Sequence, residues 1–496
     1  MTPTRRALFA APLLALPARL LPQRAALRPE AFGAKGDGAT DDTAAFQAMA
    51  RAVEAAGGGV VALRPRATYR LGRQVRGDGA GPAYMNQPMF SVADVRGLAI
   101  EGNGATLRLN DGLRYGSFHP ATGARFDPPP GKFTDPRYAA AVGSLLLIQR
   151  ARGVRISGLT LDGNMDRLVV GGRWNVDIQL HADGLRLLDV SDVEVADVAA
   201  RGNGLDGVYV RGRGRASPDA PADRIAFTRV RCEGNGRQGV SVVGGAGLRF
   251  ADCVFADTGQ GAISSAPGAG VDVEPNGRDW ASDITFAGCT FRNNRQVGLV
   301  AAEGASRGIV ARGCTFWQGF APGPRSRGSG DAFWLTKGAA VVEGCQVHGN
   351  VTNLHPEAVV RNCRFDDAAL PGHGRAAQRR KYLVADARGS FVDCSFTVTA
   401  PGARALAYAT KPVLFRRCRF HHAGEALPGN LAAAFFGAAA TLEDVRFTEA
   451  LRRPAPGGNY IHDGKPTLRG SVTVGGPSIR WGGKRGPVGD VARPPR

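Results

Sequence analysis

The chain has 496 residues, 43% of them apolar and 21% charged, and a formal net charge of +20. That composition excludes a disordered chain and supplies a large core, while 69 glycines beside only 7% aromatics fit many tight turns around a narrow aliphatic interior. The charge, carried mostly by arginine, favours polyanions such as an acidic polysaccharide, but no stretch interleaves basic and aromatic residues as a nucleic-acid groove does, so nucleic acid is not an expected partner.

At the amino terminus, Thr4-Arg5-Arg6 precedes a short apolar run from Ala7 to Ala18. Spanning a bilayer takes ~20 apolar residues, so this run predicts no membrane anchor. It resembles a twin-arginine leader. Residues 1–26 are therefore read as a signal cleaved after Ala18 or near Ala26, and the protein is expected in the periplasm or outside the cell.

From Glu30 to Leu71 the sequence reads EAFGAKGDGATDDTAAFQAMARAVEAAGGGVVALRPRATYRL. Asp41 and Asp42 stand where a helix is capped; Ala45, Phe46, Met49, Ala52 and Val53 recur at helical spacing until Gly57 to Gly59 end it. The segment resembles the amino-terminal cap of the pectate-lyase-like superfamily, which holds polygalacturonases, related glycan hydrolases, lyases and phage tailspike depolymerases. The resemblance implies a right-handed parallel β-helix, all-β, behind a capping helix. It does not single out one activity.

Beyond the cap, apolar-alternating segments repeat: VRISGLTLDGN, VEVADVAARGN, IAFTRVRCEGN, LRFADCVFADT, ITFAGCTFRNN and IVARGCTFWQG, with five weaker copies around Cys345, Cys363, Cys394, Cys418 and Val445. Their spacing runs from 18 residues, Cys345 to Cys363, to 39, Leu159 to Val198, as coils with insertions of unequal length require. Strands joined by Asn- and Gly-rich turns without helices predict a β-solenoid of roughly a dozen coils over 27–475, followed by a loose basic tail, 476–496. One inward column is Leu159, Val198, Val230, Cys253, Cys289, Cys314, Cys345, Cys363, Cys394, Cys418 and Val445. The next is Leu161, Ala200, Cys232, Phe255, Phe291, Phe316, Val347, Phe365, Phe396, Phe420 and Phe447. All eight cysteines fall in these columns, in slots shared with aliphatics. They are expected to be buried, reduced core residues, without disulfides or metal.

A second strand in each coil, GLRLL, GVYVR, GVSVV, GVDVE, GLVAA and AFWLT, has regular inward residues and irregular outward ones. The outward column Arg186, Tyr209, Ser241, Asp272, Val300 and Trp334 and its neighbour Leu188, Arg211, Val243, Glu274, Ala302 and Thr336 read as a cleft floor. Asp272 and Glu274, two apart on a strand, have backbones ~6.6 Å apart on one face. That spacing suits acid/base work or, in a lyase, a shared calcium; both are otherwise structural carboxylates in a GVDVEPN turn. Asp206 in GNGLDGVYV resembles the aspartate that precedes a strand glycine in polygalacturonases, but one coil later Gln238 stands where those enzymes carry a second aspartate, and Asp206 is equally an ordinary turn residue. His181, in the stripe Asn175, Asp177, Gln179, His181, is a proton-shuttle candidate or a solvated histidine, and Asp162 a turn residue.

Tyr209 and Trp334 are candidates for stacking on sugar rings, and Arg211, Gln238 and Lys337 for polar contact with substrate; Trp174, Trp280 and Trp317 are further candidates for the cleft wall. Insertions at Arg108 to Ala141, Arg211 to Ala222 and Ala321 to Gly330 are expected to stand beside the coils and wall a groove. The function expected is that of an exported glycoside hydrolase or polysaccharide lyase acting on an acidic glycan, with no cofactor apart from calcium in the lyase case; the alternative is a non-catalytic glycan-binding or cell-surface β-helix.

Overall fold

The computed structural model describes residues 25–79, 81–127, 136–173, 179–318, 330–372, 374–375, 382–399, 405–424, 432–450, 459–476, 479–483 and 489–492. The expected leader up to residue 24, Trp174, Asn175, Asp177 and residues 321–329 of the expected Ala321 to Gly330 insertion lie outside these residues. No helix among them is long and apolar enough to cross a membrane.

The one α-helix described, Thr43–Ala55, buries Phe46, Met49, Ala50 and Val53, and Phe46 meets Tyr69 and Phe90 edge-on at 5.1 and 5.4 Å. It closes the open end of the coils with an apolar face. Its capping differs from the simple expectation. Asp42 occupies the cap position without bonding the helix and instead accepts from the backbone N–H groups of Lys35 and Gly36, at 2.6 and 3.0 Å. Asp41 accepts from the N–H of Thr43 at 3.0 Å. The two acids thus divide the work, one holding the helix end and the other the FGAKGDG loop.

After the helix the stacked coils are built from parallel ladders, with antiparallel pairs confined to side sheets and to the last strand. One sheet, called the groove sheet below, runs through Phe90–Ala93, Leu146–Gln149, Leu185–Arg201, Asp206–Gly212, Gln238–Val242, Ala269–Val273, Val297–Ala301 and Asp331–Leu335. It passes by bridges at Asn350 and Leu354 to Tyr382–Ala385, Ala405–Ala409, Ala434–Gly437, Tyr460–Gly464 and Arg480–Trp481. The other strands of each coil carry the predicted inward column in unbroken register from Leu161 through Ala200, Cys232, Phe255, Phe291, Phe316, Val347, Phe365, Phe396 and Phe420 to Phe447. Phenylalanines stack along it, Phe291 on Phe316 at 4.6 Å and Phe396 on Phe420 at 4.6 Å, so neighbouring coils are joined by ring faces as well as by backbone hydrogen bonds.

All eight cysteines are free and buried. Their thiols donate to carbonyls, as Cys289 does to Phe250 and Ala287 at 3.5 Å each. The residue before this column is held at positive φ on coil after coil: Asp197 55°, Arg229 51°, Asp252 53°, Gly288 62°, Gly313 58°, Gly344 62°, Asn362 53°, Asp393 54°, Arg417 50° and Asp444 54°. This is where each coil bends, and short polar residues or glycine tolerate the left-handed conformation best. On another corner, Asn203, Asn235 and Asn294 are buried. Asn235 accepts from the backbone and side chain of Asn203 at 3.0 and 2.9 Å, which accounts for the repeated Gly-Asn of the sequence.

In the stretch expected as a loose tail, Ile479 and Trp481 are buried, and Gly489–Ala492 pairs antiparallel with Thr467–Gly475. Those residues close the last rung.

Candidate functional site

The groove sheet has one departure from strict alternation, and it creates the site. Between Asp206 and Val208 the register passes over Gly207, as it does over Gly239, Gly270 and Gly298 on the next coils. A Cβ on Gly207 would meet the Asn235 amide at 2.6 Å, and one on Gly298 would meet Phe291 and Phe316 at 3.1 and 3.2 Å. These glycines therefore face the core, next to an inward residue on their C-terminal side. The residue before each glycine, and before Ala332 on the following coil, is turned away from the core, which adds a fully buried column of Asp206, Gln238, Ala269, Val297 and Asp331. The predicted columns hold beside it: Arg186, Tyr209, Ser241, Asp272, Val300 and Trp334 are in register.

Asp206 is fully buried. Its Oδ2 accepts from Ser241 Oγ at 2.8 Å and meets Arg237 Nη1 at 3.5 Å, while Arg237 Nη2 bonds Glu274. One nearly buried guanidinium thus joins Asp206 to Glu274. Asp272 is also buried, 5% exposed, and accepts from Gln238 Nε2 at 2.6 Å. Burial, aided by the charges of Asp183 and Glu274 and opposed by Arg237 and the Ser241 hydrogen bond, raises the Asp206 carboxyl to a pKa of about 7. Burial likewise lifts Asp272 well above the usual carboxylate range, with Glu274 adding to the effect. Arg237 goes the other way: burial disfavours its charge, but Asp206, Glu274 and Asp272 outweigh burial and hold it protonated. Burial thus shifts both Asp206 and Asp272 towards the protonated form, against the pull of the Arg237 charge.

Next along the sheet, Arg186 Nη1 bonds buried Asp183 and His181 Nδ1, each at 2.8 Å. A guanidinium has no acceptor, so Nδ1 is the accepting nitrogen and the neutral ring carries its proton on Nε2. The Arg186 guanidinium lies 3.8 Å from the ring centre of Tyr209, whose phenol is raised by burial. Behind His181 a small sheet of Gln74–Arg76, Tyr84–Asn86, Arg114–Ser117, Ala139–Ala140 and Val169–Val170 forms a wall; Val142 and Gly143 donate to the His181 carbonyl. Part of the predicted Arg108 to Ala141 insertion makes up this wall.

The remaining candidates separate from this cluster. Asp272 and Glu274 share a face but not a partner, because Gln238 holds one and Arg237 the other. Among the described residues no group of three or more His, Cys, Asp or Glu side chains is arranged to hold a metal. Arg211 is tied to Asp279 at 2.8 Å. Trp334 bonds Asp331 through Nε1 at 2.5 Å, two coils, or roughly 9.6 Å, beyond Asp272. Lys337 lies exposed past its strand end. Trp317 is buried on the opposite sheet between Arg292 and His348, and Trp280 pairs with Ala305 there as well; neither lines the cleft. Asp162 orders its turn, accepting from the Asn164 N–H at 2.9 Å. Arg237 and Asp183 were not singled out by the sequence, and Arg186 was read only as a member of the outward column. For Arg237 a signal exists: aligned copies GNGLDG and GNGRQG put it where the preceding coil has buried Leu205.

The model for a right-handed β-helix region matches residues 144–352. The chain is a right-handed parallel β-helix. No curated protein matches the sequence. Among solved structures, this β-helix is similar to the A-module of the Azotobacter vinelandii mannuronan C-5 epimerase AlgE6, at 15% identity over 89% of this chain and 98% of that one, with a TM-score of 0.42. It is also similar to the amino-terminal fragment of bacteriophage phi29 gene product 12, at 14% identity over 92% and 66%, TM-score 0.48. A third such structure is PfbA, a surface adhesin of Streptococcus pneumoniae, at 12% identity over 90% and 92%, TM-score 0.45.

Proposed function

We propose that the groove face from His181 to Glu274 cleaves an acidic glycan lying along the stacked strands, outside the cytoplasm. The observation that carries this is the cluster in which Arg237 joins Asp206 to Glu274 with Asp272 beside them on Gln238, and in which burial pushes the Asp206 and Asp272 carboxyls up towards neutral pH. A protonated carboxyl beside an ionised one is the arrangement that general acid and base work requires. Glu274, with 19% of its side chain exposed against none for Asp206, is the carboxylate that meets substrate. Asp206 and Asp272 act behind it, storing protons and fixing Arg237. Arg186 supplies a cation for a uronate carboxyl, and His181, half exposed, an N–H for a sugar oxygen.

A panel of acidic polysaccharides, tried first because of the positive charge, tests the reading. Cleavage is expected, with an unsaturated ultraviolet-absorbing product marking a lyase and plain reducing ends a hydrolase. Glu274→Gln should lower the rate by ~100-fold or more, the usual loss with a general acid or base. Inhibition of the parent by a chelator would assign calcium a part. Binding without cleavage across the panel would establish the non-catalytic alternative, and cleavage that survives Glu274→Gln and Asp206→Asn would move the site elsewhere.

A further inference from the structure

Away from these carboxylates, where the first groove strands turn out of the sheet, an open basin of about 560 Å³ is lined by Arg96, Arg150, Arg152, Arg213 and Arg215, with Asp94 and Asp189. Successive coils bring these guanidiniums together: Arg152 and Arg96 are in direct register on neighbouring strands. Part of the charge is matched locally. Arg150 clamps Asp94 through two bonds of 2.8 and 2.7 Å, Arg152 bonds Asp192 at 2.6 Å, and Arg215 bonds Asp189 at 2.5 Å. The matching is incomplete, because the same acids serve other arginines. Asp192 is shared with Arg224, and Asp189 and Asp279 are shared with Arg211. Among the described residues the Arg213 side chain bonds the backbone carbonyl of Asp189, through Nε at 2.7 Å. Arg96 is exposed and, like Arg213, has no ion pair among the described residues. Counting Arg211 and Arg224, seven arginines face Asp94, Asp189, Asp192 and Asp279 together with buried Asp223, which accepts from the Arg213 and Gly214 N–H groups, and Glu54 of the capping helix, which leaves one positive charge in excess.

We infer that this basin is a second anion-binding site, which takes the carboxylate or ester-sulfate groups of a glycan on the forks of Arg96 and Arg213. The anion follows from the arginines, whose planar forks match two-oxygen groups and which cluster against their own repulsion. The glycan rests on the function proposed above, because the basin opens at the ends of the strands that form the groove.

The test is calorimetric titration of the full chain with a polyuronate oligosaccharide, and with a neutral oligosaccharide of equal length, at low and moderate salt. Salt-weakened binding of the polyuronate alone is expected. Arg96→Ala with Arg213→Ala should weaken it by about a hundredfold, about tenfold for each charge-assisted hydrogen-bonding fork removed. Arg417→Ala, which removes a surface partner of Asp393 at the far end of the helix, should leave it unchanged. Both arginines are exposed, and an unchanged melting temperature would show that the double variant folds. Failure of the parent to bind, or equal binding by the double variant, overturns the site. Displacement of the polyuronate by a DNA duplex, itself dependent on Arg96 and Arg213, overturns the glycan assignment. Glu274→Gln separates the two proposals: a chain that no longer cleaves but binds as before keeps the basin, whereas binding intact in the arginine variant and abolished in Glu274→Gln places the anion in the groove instead.

Discussion

An aspartate in water loses its proton near pH 4, and at Asp206 the same group is walled in by Ser241, Arg237 and the coils on either side, so that its pKa reaches about 7. Because the folded value lies above the unfolded one, the folded state binds the extra proton between about pH 4 and pH 7. The associated stability is fully present below the ordinary carboxylate value and is lost as pH rises through about 7. Asp206→Asn keeps the shape and abolishes this titration. Thermal melts between pH 4.5 and 8 should show a flatter slope for the variant, by up to about 1.4 kcal/mol per pH unit, the worth of one proton; identical slopes would show that Asp206 is ionised throughout. Burial of this kind was not legible from the residues. GNGLDGVYV places an aspartate before a strand glycine, but which way it turns depends on that glycine facing the asparagine ladder, a relation between coils. Glu274 and Asp272 were legible as a pair on one face, while their separate partners were not, because Gln238 and Arg237 come from the preceding coil.

At the scale of the element, the bend before each cysteine column is the most regular local feature. Its residue sits near φ 55° whether it is aspartate, asparagine, arginine or glycine, so the sequence there follows backbone conformation and not chemistry. At exposed Asp252, φ 53°, replacement by glycine should be tolerated, whereas valine, branched at Cβ, should cost about 1–2 kcal/mol. Chemical denaturation of Asp252→Gly and Asp252→Val separates the cases, and equal midpoints would show that the bend carries no strain. The inward columns were readable for a related reason: a narrow core accepts few side-chain sizes, so Leu, Val, Cys and Phe recur at one slot in every coil. The capping helix was readable from its 3.6-residue period. Its two acids stand at the cap as expected, but their division of work was not legible, because Asp42 serves a loop that only tertiary contact brings to it.

For the whole molecule, eight free buried thiols, seven of them in one column from Cys253 to Cys418 and Cys232 in the next, bear on how the chain reaches its destination. The predicted leader resembles one read by a pathway for folded proteins, and a chain folded in the reducing cytoplasm would have its thiols enclosed before meeting an oxidant. Replacing Arg5 and Arg6 with lysine should leave precursor in the cytoplasm, and the exported protein, denatured without reductant, should titrate close to eight thiols. Export unaffected by the replacement, or fewer than two free thiols, would mean that the chain crosses unfolded and is oxidised afterwards.

The glycine that the register passes over in four successive groove coils has a further consequence. By facing the core beside another inward residue, it shifts the phase of the strand once and then restores it, so each coil offers three outward positions around a fixed interior: the residue before the glycine and the two that alternate after it. Asp206, Tyr209 and Arg211 occupy one such line, Gln238, Ser241 and Val243 the next, and Ala269, Asp272 and Glu274 the third. The groove is thus written like a page, three characters to a line at a fixed line spacing. Any character can be changed while the packing behind it stays as it is, so one scaffold can carry many different surfaces.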